Sequence, residues 1–265
     1  NDVIKVYYVK DQFEYTVEYY YDGIIDNNKT DTITATYQDV ISTYTDKNIT
    51  GYRLMTTEEG TTAGLTGLKD GVIGLPLTVS ENSDNNVIKV YYVKDQFEYT
   101  VEYYYDGNLD SSKTDKITAT YQDVISTYTD KNITGYRLMT TAEGTTAGLT
   151  GLKDGAIGLP LTITEVSDDN VIRIYYVKDQ FEYTVEYYYD GILNNSKTDA
   201  ITATYKDKIT TYTDKNITGY RLMTTEEGQD KGINNLVDGV VNLPLTVSEN
   251  TNNNIIKVYY VKDQI

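Results

Sequence analysis

Tyrosines and carboxylates are the side chains whose numbers and spacing could support chemistry in this chain. Tyr occurs 29 times against 3 Phe and no Trp, and 40 Asp plus Glu oppose 23 Lys plus Arg, for a formal charge of −17 over 265 residues. His and Cys are absent. Their absence excludes His- or Cys-ligated zinc, haem and iron–sulfur centres, disulfides, and Ser–His or Cys–His nucleophiles. An acidic surface repels phosphate backbones and anionic lipid, so nucleic acid and membrane surfaces are not expected partners. No apolar run approaches the roughly 18 residues of a membrane span. A chain without thiols suits an extracellular surface and a reducing cytosol equally.

The tyrosines fall into rows. In Tyr19-Tyr20-Tyr21, a strand would turn Tyr20 to the face opposite Tyr19 and Tyr21, and Tyr20, Tyr104 and Tyr188 recur at one register. Aromatic faces with hydroxyl tips stack on sugar rings, so these three are the candidate glycan contacts. The competing reading makes Tyr the general sheet aromatic in place of Phe and Trp. Among the carboxylates, Glu14 and Glu18 share a strand face about 13 Å apart. Glycosidase pairs need about 5–9.5 Å, so a solvated strand face is expected. The pair Glu58-Glu59 becomes Ala142-Glu143 at the matching place downstream. The oxygen-rich residues 81–86 lack EF-hand spacing, and Asp84 is replaced by Asn252, so a polar turn is expected there and not a calcium loop. Asn48, Asn132 and Asn216 each open an Asn-Ile-Thr sequon, read here as plain Asn. A Lys–Asn cross-link through Lys89 is disfavoured because Arg173 takes its place. No catalytic, cofactor or metal residue is assigned, and no enzymatic activity is expected.

These residues are positioned by a repeat. FEYTVEYYYDG begins at Phe13, Phe97 and Phe181, a step of 84 residues. VIKVYYVKDQ starts at Val3 and Val87, with variants at Val171 and Ile255. The expected segments are 1–12, the last strand of a preceding repeat, then repeats 13–96, 97–180 and 181–265. The first two repeats differ at 13 positions without insertion or deletion. A unit this long can hold its own core, so tandem domains are expected and not a solenoid. Alternation over Phe13, Tyr15, Val17, Tyr19 and Tyr21 predicts a half-buried strand, followed by an Asp22-Gly23 turn. Ile33, Ala35 and Tyr37 predict a second strand, Leu75, Leu77 and Val79 a third, and residues 87–94 the last. Residues 41–50 read as a Thr-rich connector. The one helical candidate is 61–69, where Leu65 and Leu68 are i, i+3 neighbours but three Gly weaken it. Only Lys94-Asp95-Gln96 separate Val93 from Phe97, too few for a flexible linker. Neighbours should therefore abut in an elongated rod, each unit adding roughly 40 Å for a total on the order of 120 Å.

The order YTVEYYYDG, then ITATYQDVISTYTDKNITGYRL, then VIKVYYVK resembles the mucin-binding (MucBP-type) repeats of Gram-positive surface adhesins. The matching places in the first unit are residues 15–17, Tyr44-Thr45, Gly51-Tyr52 and residues 90–93. The near-identity of neighbours is also similar to high-identity tandem repeats of bacterial stalk proteins. The resemblance implies a mainly β, α+β unit of β-grasp type. It also implies an extracellular setting on a bacterial cell surface, anchored to the cell wall through regions outside this fragment. The extra residues 24–32 and the long stretch from Gly-Tyr to the last strand depart from that pattern. The function expected is a monomeric stalk projecting a distal binding domain, with the neighbouring repeats as its partners. The alternative is multivalent binding of mucin or host glycan by the repeats themselves.

Overall fold

The computed structural model describes residues 2–263; Asn1 and Gln264–Ile265, the outer ends of the first and last expected segments, lie outside the described residues. The chain is mainly β and contains three similar sheet-rich repeats of roughly 84 residues. Its contacts form two compact units, Asn1–Thr100 with Lys116–Thr127 and Leu159–Val171, and Val101–Asp115 with Tyr128–Gly158 and Ile172–Ile265. The first repeat and the junction after it lie within the first unit. The third repeat and the junction before it lie within the second.

In the first repeat, alternation makes a long strand β1 (Gln12–Tyr21) whose Tyr15, Val17 and Tyr19 are buried. Asp22 and Gly23 both take positive φ, 50° and 80°. This is the geometry of a two-residue hairpin turn whose twist matches the strands it joins. The chain returns as β2 (Ile24–Ile25), and β3 (Asp31–Thr36) continues along the same edge of β1, from Val17↔Asp31 to Gln12↔Thr36. After β4 (Val40–Ile41) come β5 (Tyr52–Leu54), α1 (Thr57–Thr62), β6 (Val72–Ile73) and β7 (Leu77–Thr78). The closing strand β8 (Val87–Lys94) inserts parallel to the free edge of β1, from Thr16↔Val87 to Tyr21↔Tyr92. β5 and β6 then cover the far edge of β8, giving the order β2-β1-β8-β5, while β4 and β7 pair separately. The same six-stranded arrangement recurs in the other two repeats.

The central sheet buries both faces. On one, Tyr15, Val17, Tyr19, Ile88, Val90 and Tyr92 pack with Leu77, Ile41 and Tyr44. On the other, Tyr91 and Tyr20 pack with Met55, Leu65 and Leu68.

Two expectations need correction. The helix lies upstream of the Leu65–Leu68 pair, because Thr56 and Glu59 form a capping box that starts it at Thr57. Leu65 and Leu68 instead follow the helix, and a Cβ on the buried Gly60 would stand 2.3 Å from Leu68 Cδ2, so only Gly fits there. The second strand ends at Thr36; Ile33 is exposed on an edge strand, and Tyr37 leaves the alternation. Residues 2–11 pair with none of the three sheets, although residues 3–10 share the sequence of β8.

Candidate functional site

Strand β1 places the candidate glycan contacts on the smaller core. The Tyr20 ring stacks on Tyr91 with centroids 4.7 Å apart and planes at 15°, and its hydroxyl donates to Glu18 Oε2 at 2.7 Å. Lys89 Nζ sits 6.0 Å from the Tyr20 centroid and 3.9 Å from Glu18. Tyr104 stacks on Tyr175 and donates to Glu102 at 2.9 Å, and Tyr188 stacks on Tyr259 and donates to Glu186 at 2.7 Å. All three rings are half-buried, each with a neighbouring Tyr against one face. Arg173 replaces Lys89 without loss because its role is an ion pair, here to Glu102 at 3.1 Å, which either cation makes.

The other tyrosine face explains why Phe is scarce. Residues 42–49 have no regular backbone pairing, so their polar groups need other partners. Tyr19 OH donates to the Thr45 carbonyl at 2.6 Å and Tyr21 OH to the Lys47 carbonyl at 2.6 Å. Tyr92 OH donates to Asp46 and accepts from the Lys47 amide at 3.1 Å. Lys47 Nζ meets Asp31 Oδ1 at 2.6 Å, above the Tyr19 ring. The same set recurs as Tyr103, Tyr105, Tyr176 and Lys131, and as Tyr187, Tyr189, Tyr260 and Lys215. Burial foremost, then the neighbouring acids, pushes the Tyr19 and Tyr92 hydroxyls well above the ordinary tyrosine range. A phenylalanine in these places would keep the packing and release the connector.

Residues 81–86 contain a second fixture. Asn86 is fully buried. Its Oδ1 accepts from the Ser80 amide and hydroxyl, each at 2.9 Å, and its Nδ2 donates to the carbonyls of Ser80 at 2.8 Å and Glu14 at 3.2 Å. This amide is satisfied by the protein alone. Asn170 and Asn254 repeat it. Among the described residues no group of three or more acidic side chains is placed to hold a metal ion.

The junctions between repeats form the most elaborate site. Only Asp95 separates β8 from the first strand of the next repeat, Gln96–Tyr105. The Asp95 amide donates to the Gly51 carbonyl at 2.8 Å, its carbonyl accepts from the Tyr121 amide at 2.9 Å, and its Oδ1 accepts from the Gln96 amide at 2.8 Å. Arg53 Nε reaches the same Oδ1 at 3.1 Å. The rest of that guanidinium forks onto Glu59 at 2.6 and 2.8 Å, so it joins the helix cap of one repeat to the start of the next. Arg53, ahead of the helix-cap bonds, holds the Glu59 carboxyl at about 2. Tyr121 packs edge-on against Phe97 at 6.1 Å and Tyr52 at 6.4 Å. Gly51 is buried beneath it; a Cβ there would lie 2.3 Å from the Tyr121 ring. Gly135, Tyr136, Arg137, Asp179, Phe181 and Tyr205 rebuild this joint, with Arg137 Nε 3.2 Å from Asp179 and a Gly135 Cβ 2.2 Å from Tyr205.

Sequence reasoning found the absence of a linker but missed these contacts. The legible signals were Thr56-x-x-Glu59, and an Arg two residues after each Gly in Gly-Tyr-Arg. The acid pair Glu58-Glu59 edges an open depression of about 510 Å³. Within that pair, Glu59 is committed to Arg53 and the Thr56 amide. No protein-family model matches the chain, and no curated protein matches it.

Proposed function

We propose that the chain is the repeat stalk of a bacterial cell-surface adhesin, a spacer of β-grasp-like domains that projects a distal binding domain from the cell wall. The observation that carries this reading is the linkerless junction. Each repeat contributes Gly, Tyr and Arg, the next contributes Phe and Tyr, and one shared Asp bonds to both. A joint of that kind limits bending, and near-identical domains add length without adding specificity. The β-grasp reading is supported by a first and last strand lying parallel at the sheet centre. Both core faces are occupied by the chain's own side chains, which suits a spacer better than a ligand site.

The test compares versions with one, two and three repeats. Small-angle scattering is expected to show a maximum dimension that grows linearly with repeat number, and none of the three should bind mucin or host glycan. Compact particles would defeat the spacer. Affinity climbing steeply with repeat number would instead support an array of weak glycan sites at Tyr20, Tyr104 and Tyr188.

A further inference from the structure

Each repeat stacks tyrosines across the parallel strand pair at the centre of its sheet. Tyr20 lies directly opposite Tyr91, and Tyr188 opposite Tyr259. Their ring centroids are 4.7 Å apart in both pairs, with planes at 15° and 16°, and Tyr104 and Tyr175 repeat the arrangement at 4.8 Å and 16°. Near-parallel rings at that spacing are offset, so an edge carbon of each lies over the other. Beside each stack stands a base. The hydroxyls of Tyr20, Tyr104 and Tyr188 donate to Glu18, Glu102 and Glu186 at 2.7–2.9 Å. The rings of these three are half-buried, within reach of a small oxidant. The second stack of the first repeat lacks that freedom, because Tyr92 is 1% exposed and the hydroxyls of Tyr21 and Tyr92 are held by Lys47 and Asp46. The other paired rings among the described residues meet edge-on, at 66–87°.

We propose that Tyr20–Tyr91, Tyr104–Tyr175 and Tyr188–Tyr259 are sites of oxidative cross-linking, at which a one-electron oxidant joins each stacked pair by a carbon–carbon bond ortho to the two hydroxyls. The first electron leaves Tyr20, and its hydroxyl proton passes to Glu18. A second electron and proton leave Tyr91 after Glu18 has passed the first proton to water. The two phenoxyl radicals pair to form the bond. The hydrogen on each coupled carbon then moves to the oxygen of its own ring, which restores both aromatic systems and both hydroxyls. The balance is one new carbon–carbon bond for two electrons and two protons lost; hydrogen peroxide acting through a peroxidase takes up both and leaves as two waters. The link ties the first strand of a repeat to its last and closes a loop over residues 21–90. A closed loop of that length restricts the unfolded chain, as a disulfide does. Load entering at β1 and leaving at β8 then bypasses those residues, a consequence that rests on the spacer reading; the cross-link itself does not.

The test illuminates the full folded chain at micromolar concentration with a ruthenium tris-bipyridyl complex and persulfate, which accepts the two electrons and is reduced to two sulfates. The monomer fraction is then isolated under denaturing conditions, apart from chains joined through the exposed Tyr7 and Tyr8. It is expected to show dityrosine fluorescence, a mass lower by two hydrogens per link, and proteolytic fragments joined at 20–91, 104–175 and 188–259. The triple variant Tyr20→Phe/Tyr104→Phe/Tyr188→Phe keeps the rings and lacks the phenols. Its monomer fluorescence is expected to fall several-fold with an unchanged circular dichroism spectrum. Glu18→Gln/Glu102→Gln/Glu186→Gln keeps an acceptor for each hydroxyl but removes the base, and should slow coupling several-fold. A monomer without loss of mass, links mapped to other tyrosines, or equal fluorescence in the triple Phe variant would overturn the proposal. An unchanged rate in the Gln variant would remove the carboxylate from it. These outcomes are independent of the scattering and glycan-binding results that decide the spacer reading.

Discussion

VIKVYYVK at residues 3–10 and VIKVYYVK at Val87–Lys94 are one sequence in two physical states. In the second copy Ile88 and Val90 are 0% exposed and Tyr92 is 1% exposed, whereas in the first Ile4, Val6 and Tyr8 are 88%, 67% and 91% exposed. Among the described residues, the difference lies in what stands beside each copy. Ahead of Val87 stand β1 to offer a parallel edge and β5 and β6 to cover the far side. Residues 3–10 run through Asp11 directly into β1, and a parallel pairing needs a crossover of a dozen or more residues. Both edges of β1 are in any case already taken, by β8 on one side and by β2 and β3 on the other. The apolar alternation that makes a strand is identical in the two copies; among the described residues only the second is flanked by partner strands. Burial of each such side chain stabilises the fold by about 1.5–3 kcal/mol, and that term is missing for the first copy.

Matched substitutions break this comparison most directly. Val90→Asp puts a carboxylate into the centre of the sheet and is expected to cost about 4 kcal/mol or more. It should abolish the first repeat's urea transition while the other two remain. Val6→Asp, the same change in the exposed copy, should stay within about 0.5 kcal/mol.

High pH attacks the sheet around that second copy through its tyrosines. The folded hydroxyls of Tyr19 and Tyr92 titrate above their ordinary value of 10.0. Their stabilisation is therefore complete below about pH 10 and is lost progressively as pH rises above it. Thermal melts across this range should fall steeply, in step with tyrosinate absorbance. A flat profile would contradict the buried tyrosine network.

Tyr92→Phe keeps the ring and removes the bonds to Asp46 and the Lys47 amide. A loss of about 1.5–3 kcal/mol is expected, as for a hydrogen bond to a charged group, while Tyr8→Phe should be neutral by the same denaturation assay.

The smallest effect is at Arg53–Glu59, where Arg53 belongs to β5, the strand that covers the far side of β8. The Glu59 carboxyl is lowered from 4.5 to about 2. Its contribution is present above about pH 4.5 and is lost as pH falls toward 2. Both side chains are partly exposed, so Glu59→Gln should cost about 1 kcal/mol or less and flatten the acid limb of the melting curve.

Much of the fold was legible because its signals are local. Tyr15, Val17 and Tyr19 alternate, and Asp22-Gly23 supply the two positive-φ positions of the turn. The helix was misplaced because Leu65 and Leu68 imitate a helical face, whereas the capping box at Thr56–Glu59 sets the start. Of the candidate site, the Tyr20, Tyr104 and Tyr188 register was visible, but their stacking partners come from a strand 71 positions later in each repeat. Asn86 looked like one more polar loop residue. It is buried because the loop folds its amide back onto Ser80 and the β1 backbone.

Periodicity and composition by themselves determined the 84-residue repeat, the strand-rich character of each unit, the lack of a linker and the exclusion of His- and Cys-based chemistry. All of these depend on residue identity and near-neighbour spacing. Tertiary structure alone decided why Tyr outnumbers Phe, and how Gly51, Arg53, Asp95 and Tyr121 make a joint. Each of these turns on a partner far away in the chain. A hydroxyl finds a carbonyl 26 residues on, as from Tyr19 to Thr45, and a closing strand needs an edge laid down some 70 residues earlier.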